Sequence, residues 1–374
     1  MVEVYRWNSH FAPGGGSVRS MGSVTGNFTS ESALHPAARE IFLDAIDKGW
    51  ADPAKLHSPS RELNRLLNES KALLSKHLGV DSSTLSFLGE PSLGHFLAIS
   101  GLNLAQPAPR IFFPTTSRQE SLEVVGSHPG STALAVDLDG SYSIPVGAQD
   151  DLLVLHTVNG ETGAISPDPC EFHGRTFVDA TASPLQPLPE NWSVALWDSR
   201  SWSGPAGLGI LAIRDVGGWM NPLPHLDHRN VPGTFNPALA IASAVALDGF
   251  VKDCAASEAT TRRLNEMIRR FVTDEIGEVD IASPETARPE FLSFSFLYVD
   301  ALQLVDMMNR RGFAIDSGSA CTSASLEPSH VLAAMGRLTH GNVRIRLQSH
   351  LTESEIHALL TALKECVEEL RRQR

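Results

Sequence analysis

The stretch DSGSACTSASLEPSHVL, residues 316–332, sets one cysteine, Cys321, among serine, threonine, glycine and alanine. A thiol in such surroundings is expected on an exposed loop, where its pKa can fall and the thiolate can act as a nucleophile. The competing reading is a cysteine buried as a small hydrophobe, which the polar neighbours on both sides disfavour. Glu327 and Pro328 then open a helix. Further on, Arg344 in NVRIRL offers a guanidinium fork, whose chemistry suits a carboxylate; the alternative is an ordinary surface arginine in a strand. The other cysteines, Cys170, Cys254 and Cys366, are scattered and form no CxxC pair. They are expected to be structural, and neither a metal site nor a disulfide framework is implied.

The 316–332 segment resembles the active-site loop of cysteine desulfurases, in the class V aminotransferase group of pyridoxal-phosphate enzymes. In that family the loop cysteine takes sulfur from cofactor-bound cysteine, becomes a persulfide, and alanine is released. The resemblance implies that role for Cys321, and binding of the substrate carboxylate for Arg344. It continues upstream in shorter pieces. VNGETGAISP at 158–167 looks like the family's VNNExG stretch, which makes Asn159 a substrate-side residue. VDATAS at 178–183 looks like the strand end whose aspartate, here Asp179, pairs with the pyridine nitrogen and keeps the ring electron-withdrawing. SGPAGLGIL at 203–211 is similar to the segment after the cofactor lysine. PGTFNP at 232–237 is similar to a loop that sends a threonine, here Thr234, across a dimer interface to the phosphate. His57 in DPAKLH falls in a similar turn and is expected to order it.

The departures gather in the cofactor pocket. Ser201 stands where the resemblance places the lysine, and Arg200 where it places the preceding histidine. The six lysines lie at 48, 55, 71, 76, 252 and 364, so none falls between 77 and 251. A serine cannot form a Schiff base or shuttle protons as an amine does, a role worth about 10²–10⁴ in rate. Asp198 replaces a phosphate-binding serine; a carboxylate about 4 Å from a phosphate charge would repel it by roughly 4 kcal/mol. Gly160 replaces the second asparagine, Ala182 a glutamine, and Arg118 the ring-stacking histidine. Ser92, in LGEPSLG, takes the place of the phosphate-binding threonine. Covalent attachment of pyridoxal phosphate is therefore not expected.

Three functional readings follow. In the first, the chain keeps the desulfurase architecture and dimer, and accepts or passes on sulfur through a Cys321 persulfide or acts as a regulatory paralogue. In the second, it converts L-cysteine to L-alanine with untethered pyridoxal phosphate. In the third, the pocket takes another small anion, received by Arg118, Arg200 and helix N-termini at the strand ends.

The elements that must carry these residues can be read from hydrophobic patterning. Helices are expected from Pro36, with an apolar stripe of Ile41, Phe42, Ala45 and Ile46, and from Ser58 to His77, stopped by Gly79. Short apolar runs follow at 111–113, 133–136, 152–158, 176–178, 194–197 and 208–213. Runs without strict alternation suit strands buried on both faces, hence an α/β fold with a mainly parallel sheet covered by helices. The resemblance specifies this as the type I pyridoxal-phosphate transferase fold. Ligands then sit at the carboxyl ends of the strands. The last third reads as a smaller α+β unit. It holds a long helix through Leu264 and Phe271, a strand at 291–299, a helix from Asp300 to Arg311 and a final helix with the Thr352–Glu355 capping box. The expected division is an arm at 1–30, a large domain at 31–250 and a small domain at 251–374.

A formal charge of −13 argues against nonspecific binding to nucleic acid or anionic membranes. The opening MVEVYRWNSH has no secretory pattern, and no apolar run is long enough to span a bilayer. Cytoplasmic location is the expectation.

Overall fold

A computed structural model describes residues 26–47, 52–53, 55–224, 235–318 and 328–373. Seven strands form the larger sheet: β2 (Leu85–Leu88), β3 (Ile111–Pro114), β4 (Ser131–Leu134), β5 (Leu152–His156), β6 (Arg175–Asp179), β7 (Val194–Asp198) and β8 (Gly209–Ile213). Their spatial order is β2-β8-β7-β6-β5-β3-β4. All neighbouring pairs are parallel except those made by β8, which runs antiparallel to both β2 and β7. Every residue of β5, β7 and β8 is buried, as an apolar run covered on both faces requires. Alternate residues of β5 separate cleanly. Leu152 and Val154 join the core beneath α3 (Leu93–Ala105), while Leu153 and Leu155 pack with Phe112, Tyr142 and Phe172. The carboxyl ends of the parallel strands β3, β5, β6 and β7 therefore meet along one rim.

Helices α1 (Pro36–Asp47) and α2 (Ser58–Leu78) pack against α5 (Pro237–Phe271) on the outer side of this sheet. His57 is the N-cap of α2, its ring accepting the Ser60 N–H. Gly79 ends the helix at φ 69°, a left-handed conformation in which a side chain would cost about 1 kcal/mol. Of the stripe expected on α1, Ile41, Phe42 and Ala45 are half-buried, the first two against the large core, whereas Ile46 is exposed.

The smaller unit holds an antiparallel sheet ordered β12-β10-β9, formed by β9 (Val279–Ile281), β10 (Phe291–Phe296) and β12 (Asn342–Arg346). Helices α6 (Ala301–Arg310) and α8 (Glu353–Arg372) complete its core with the end of α5. The capping box of Thr352 and Glu355 opens α8 as the sequence indicates. Helix α5 runs unbroken through residue 250: Ala240–Leu247 belong to the large core, and Leu264 and Ile268 to the small one. The end of the N-terminal arm also docks on the small unit. There β1 (Gly26–Asn27) pairs in parallel with β11 (Phe313–Ala314), and Phe28 is fully buried, a contribution of about 2–3 kcal/mol. The small unit is thus tied to the rest of the chain from both directions.

Candidate functional site at the strand ends

Four strand ends and the start of α3 bring the residues singled out from the sequence onto one rim. Asp179 is the last residue of β6 and is almost fully buried. Its Oδ1 accepts from the Thr181 N–H at 2.9 Å and the Thr181 hydroxyl at 2.5 Å. Its Oδ2 faces Arg118 Nε at 3.6 Å. Burial alone would raise this carboxyl, but the His95 and Arg118 side chains and the Thr181 hydrogen bonds outweigh it and hold Asp179 below the usual carboxylate range. Arg118 follows β3 and is the N-cap of α4 (Gln119–Gly126). Its guanidinium lies beside Gly160 and Ala182: a Cβ added to Gly160 would be 3.6 Å from Arg118 Nη2 and 3.6 Å from Ala182 Cβ.

Two histidines that sequence reasoning did not single out stand behind this pair. His95, on α3, is buried, with Nδ1 2.8 Å from the Ser121 hydroxyl and its ring edge-on to Phe177. Burial lowers its pKa, against the opposing pull of Asp179. His156 ends β5; burial lowers it to about 4, and its Nδ1 has no hydrogen-bond partner. The only sequence signal for His156 was a polar residue closing the run LLVLH.

A second cluster forms where β7 meets α3. The turn after β7 carries Asp198, Ser199, Arg200 and Ser201. Arg200 donates from Nε (3.0 Å) and Nη2 (2.7 Å) to Asp198 Oδ2, and from its backbone N–H (2.9 Å) to Oδ1. The hydrogen bonds and charge of Asp198 raise the guanidinium pKa further. Ser201 Oγ donates to the Asp198 carbonyl at 2.8 Å, and Ser199 Oγ to Ser243 Oγ at 2.8 Å. Across from them, Glu90 accepts the Ser92 N–H at 3.1 Å and the Ser92 hydroxyl at 2.7 Å through one oxygen. Those bonds, with the nearby charge of Arg200, lower the Glu90 pKa. Glu90 also went unnoticed in the sequence; an acid two residues before a serine at a helix start was its only signal.

Asn159 and Arg344 are held by hydrogen bonds within the chain. Asn159 Oδ1 accepts from the Glu161 and Thr162 N–H groups, each at 3.0 Å, and its Nδ2 donates to the Thr116 carbonyl at 3.1 Å. Arg344 Nη2 donates to the Ser317 carbonyl at 3.1 Å, while Nη1 is 4.0 Å from Glu161 Oε2. That same Glu161 oxygen accepts the Ser329 hydroxyl at 2.8 Å, and the Gly318 N–H donates to Asn342 Oδ1 at 2.8 Å. Glu161, from the large domain, and Arg344, from the small one, therefore fix both stems of the loop that carries Cys321. Cys321 itself and Thr234 lie outside the described residues. Among the described cysteines, Cys366 is buried and Cys254 is half-buried, with burial pushing the latter up to about 12.

The lysines of the described residues are placed away from this rim or held elsewhere. Lys71 lies over the Phe87 ring on α2, Lys252 pairs with Asp248, and Lys364 pairs with Glu275. Lys55 and Lys76 are exposed on and before α2. Among the described residues no group of acids, histidines and cysteines could hold a metal ion, and no helix is long and apolar enough to cross a membrane.

Comparison with known proteins bears on the fold and on the likeness noted in the sequence. The family profile for "Aminotransferase class-V" matches residues 201–359. The chain is 26% identical to "Cysteine desulfurase" of Trichormus azollae, over 90% of its own length and 91% of that protein. It is 24% identical to "Cysteine desulfurase IscS" of Dictyoglomus turgidum, over 92% of this chain and 94% of that one. Among solved structures, a "NIFS-LIKE PROTEIN" shares the fold with a TM-score of 0.82 at 20% identity, covering 92% of this chain and 99% of its own. "SspA in complex with cysteine" shares it with a TM-score of 0.72 at 20% identity, covering 88% and 100% respectively. The chain is thus similar to cysteine desulfurases over about nine-tenths of its length, carries a class V aminotransferase match in its second half, and shares the fold of a NifS-like protein.

Proposed function

We propose that this protein handles sulfur through Cys321 without making it from L-cysteine on a lysine-bound pyridoxal phosphate. The observation that carries this reading is Ser201, a hydroxyl tied to the Asp198 carbonyl at 2.8 Å at the place where the family needs an amine. The cofactor of the family is pyridoxal phosphate, and the rim fits it poorly. The hydroxyl and N–H of Ser92 already serve Glu90, and Asp198 adds a second carboxylate. The ring aspartate, Asp179, already faces a protein cation.

In this reading the Cys321 thiolate attacks the terminal sulfur of a persulfide on a donor protein or small thiol. A new S–S bond forms on Cys321, the donor S–S bond breaks, and the donor leaves as a thiolate, so the exchange needs no oxidant. The bonds from Ser317, Gly318 and Ser329 to Arg344, Asn342 and Glu161 support it, because they hold the residues on either side of the cysteine segment in place. A homodimer is part of the proposal, by family.

The test is to incubate the freshly purified protein with an active desulfurase and L-cysteine, and to map modifications by mass spectrometry. The expected result is a sulfur adduct on Cys321, lost in Cys321→Ser, with a colourless protein that releases no alanine by itself. The buried, ionised Asp179 favours a second reading, catalysis with untethered cofactor. Alanine release that depends on added pyridoxal phosphate and disappears in Cys321→Ser would establish that reading instead.

A further inference from the structure

We infer that Glu90 and Arg118 are built-in substitutes for the two charged ends of the cofactor and hold the pocket closed to it. This rests on the reading above, and it names what occupies the site. Glu90 places one carboxylate oxygen on the Ser92 N–H and Ser92 hydroxyl, two donors at the start of α3 that an anion would otherwise take. Glu90 is exposed, so nothing in the core demands this arrangement. The charge of Arg200, drawn to Asp198 on one side and to Glu90 on the other, balances the two acids and leaves no surplus for a phosphate. At the opposite end, the planar cation of Arg118 occupies the approach to Asp179 Oδ2, between the bare Gly160 and the small Ala182. A protonated ring would need that same carboxylate oxygen. Thr181 holds Oδ1, so the carboxylate cannot turn to serve both partners.

Two independent substitutions each put a charge of the cofactor's own sign where that charge would sit. The dianionic phosphate is matched by the Glu90 carboxylate, and the pyridinium by the Arg118 guanidinium. A pocket that had merely lost its lysine would leave Ser92 and Asp179 available. Here both are satisfied from within the chain, which spares Asp179 the cost of a buried, uncompensated charge.

The experiment is a calorimetric titration of the full-length protein and three variants, Glu90→Gln, Arg118→Ala and the pair together. The probe is pyridoxamine 5′-phosphate, which cannot form an imine with surface lysines. Wild type is expected to show no saturable binding. Glu90→Gln should tighten binding by about tenfold or more, and the pair by about a hundredfold or more. Inorganic phosphate should gain affinity with Glu90→Gln but not with Arg118→Ala. If Arg118→Ala does not fold, Arg118→His keeps an aromatic cation there and is expected to show the smaller gain. Equal affinity in wild type and variants, including no binding by any of them, overturns the inference. Wild-type binding accompanied by alanine release from L-cysteine sinks the proposed function as well. Absence of binding in every protein sinks the closure mechanism alone.

Discussion

Replacing Arg118 by glutamine would remove the counter-charge of a buried carboxylate while keeping a polar side chain of similar reach. Arg118 Nε and Asp179 Oδ2 are 3.6 Å apart, which corresponds to an attraction of about 4–5 kcal/mol at an effective dielectric near 20. Arg118 is 38% exposed, so water screens much of this, and a net cost of about 1–2 kcal/mol at neutral pH is expected. The sign of the pH dependence follows from the depressed Asp179 value. Its contribution is fully present above the unfolded-state pKa of about 3.9 and is lost as pH falls through the lower folded value. In the variant, burial is no longer offset by the guanidinium, the carboxyl rises, and its loss of stability begins at higher pH. Urea denaturation of both proteins, at neutral pH and at steps towards pH 3, measures the difference. It should be largest near neutrality and should close once Asp179 is protonated in both proteins. Identical midpoints near neutrality, or a gap that persists unchanged into acid, would refute the electrostatic reasoning.

Other outcomes follow from the same geometry. His156 titrates near 4 in the fold, so the protein should lose up to about 3 kcal/mol as pH falls from about 6.5 to about 4; His156→Leu should flatten the slope of stability against pH in that window. Gly163 sits at φ 74°, and an added Cβ would meet Phe291 Cβ at 2.6 Å, so Gly163→Ala should destabilise by about 1–3 kcal/mol in a denaturant melt. Brief alkylation of the native protein near neutral pH, followed by peptide mapping, should label Cys170 and Cys321 but spare Cys254 and Cys366; modification of Cys254 at the rate of Cys170 would contradict its burial.

The strand runs were legible because a strand covered on both faces is largely apolar, and β5, β7 and β8 are apolar but for His156 and Asp198 at the carboxyl ends of β5 and β7. The stop at Gly79 and the capping box of α8 were legible because each is local chemistry. The expected boundary near residue 250 falls inside α5, which passes from the large core to the small one between Leu247 and Leu264 without a break in the helix. The docking of residues 26–28 beside β11 was not legible, because it depends on a partner almost three hundred residues away.

By itself the sequence determined which residue types are present: a serine at 201, an aspartate at 179 and a cysteine at 321. Identity at a position along one chain segment is covalent information, and folding does not alter it. Only the tertiary structure decided how those residues spend their hydrogen bonds and charges. Arg118 against Asp179, Glu90 on Ser92, and Glu161 between Arg344 and Ser329 join separate parts of the chain or resolve a local choice among several acceptors. Such pairings depend on distance in space and on burial, because a charge or donor settles on whichever partner the packed chain brings within about 3–4 Å.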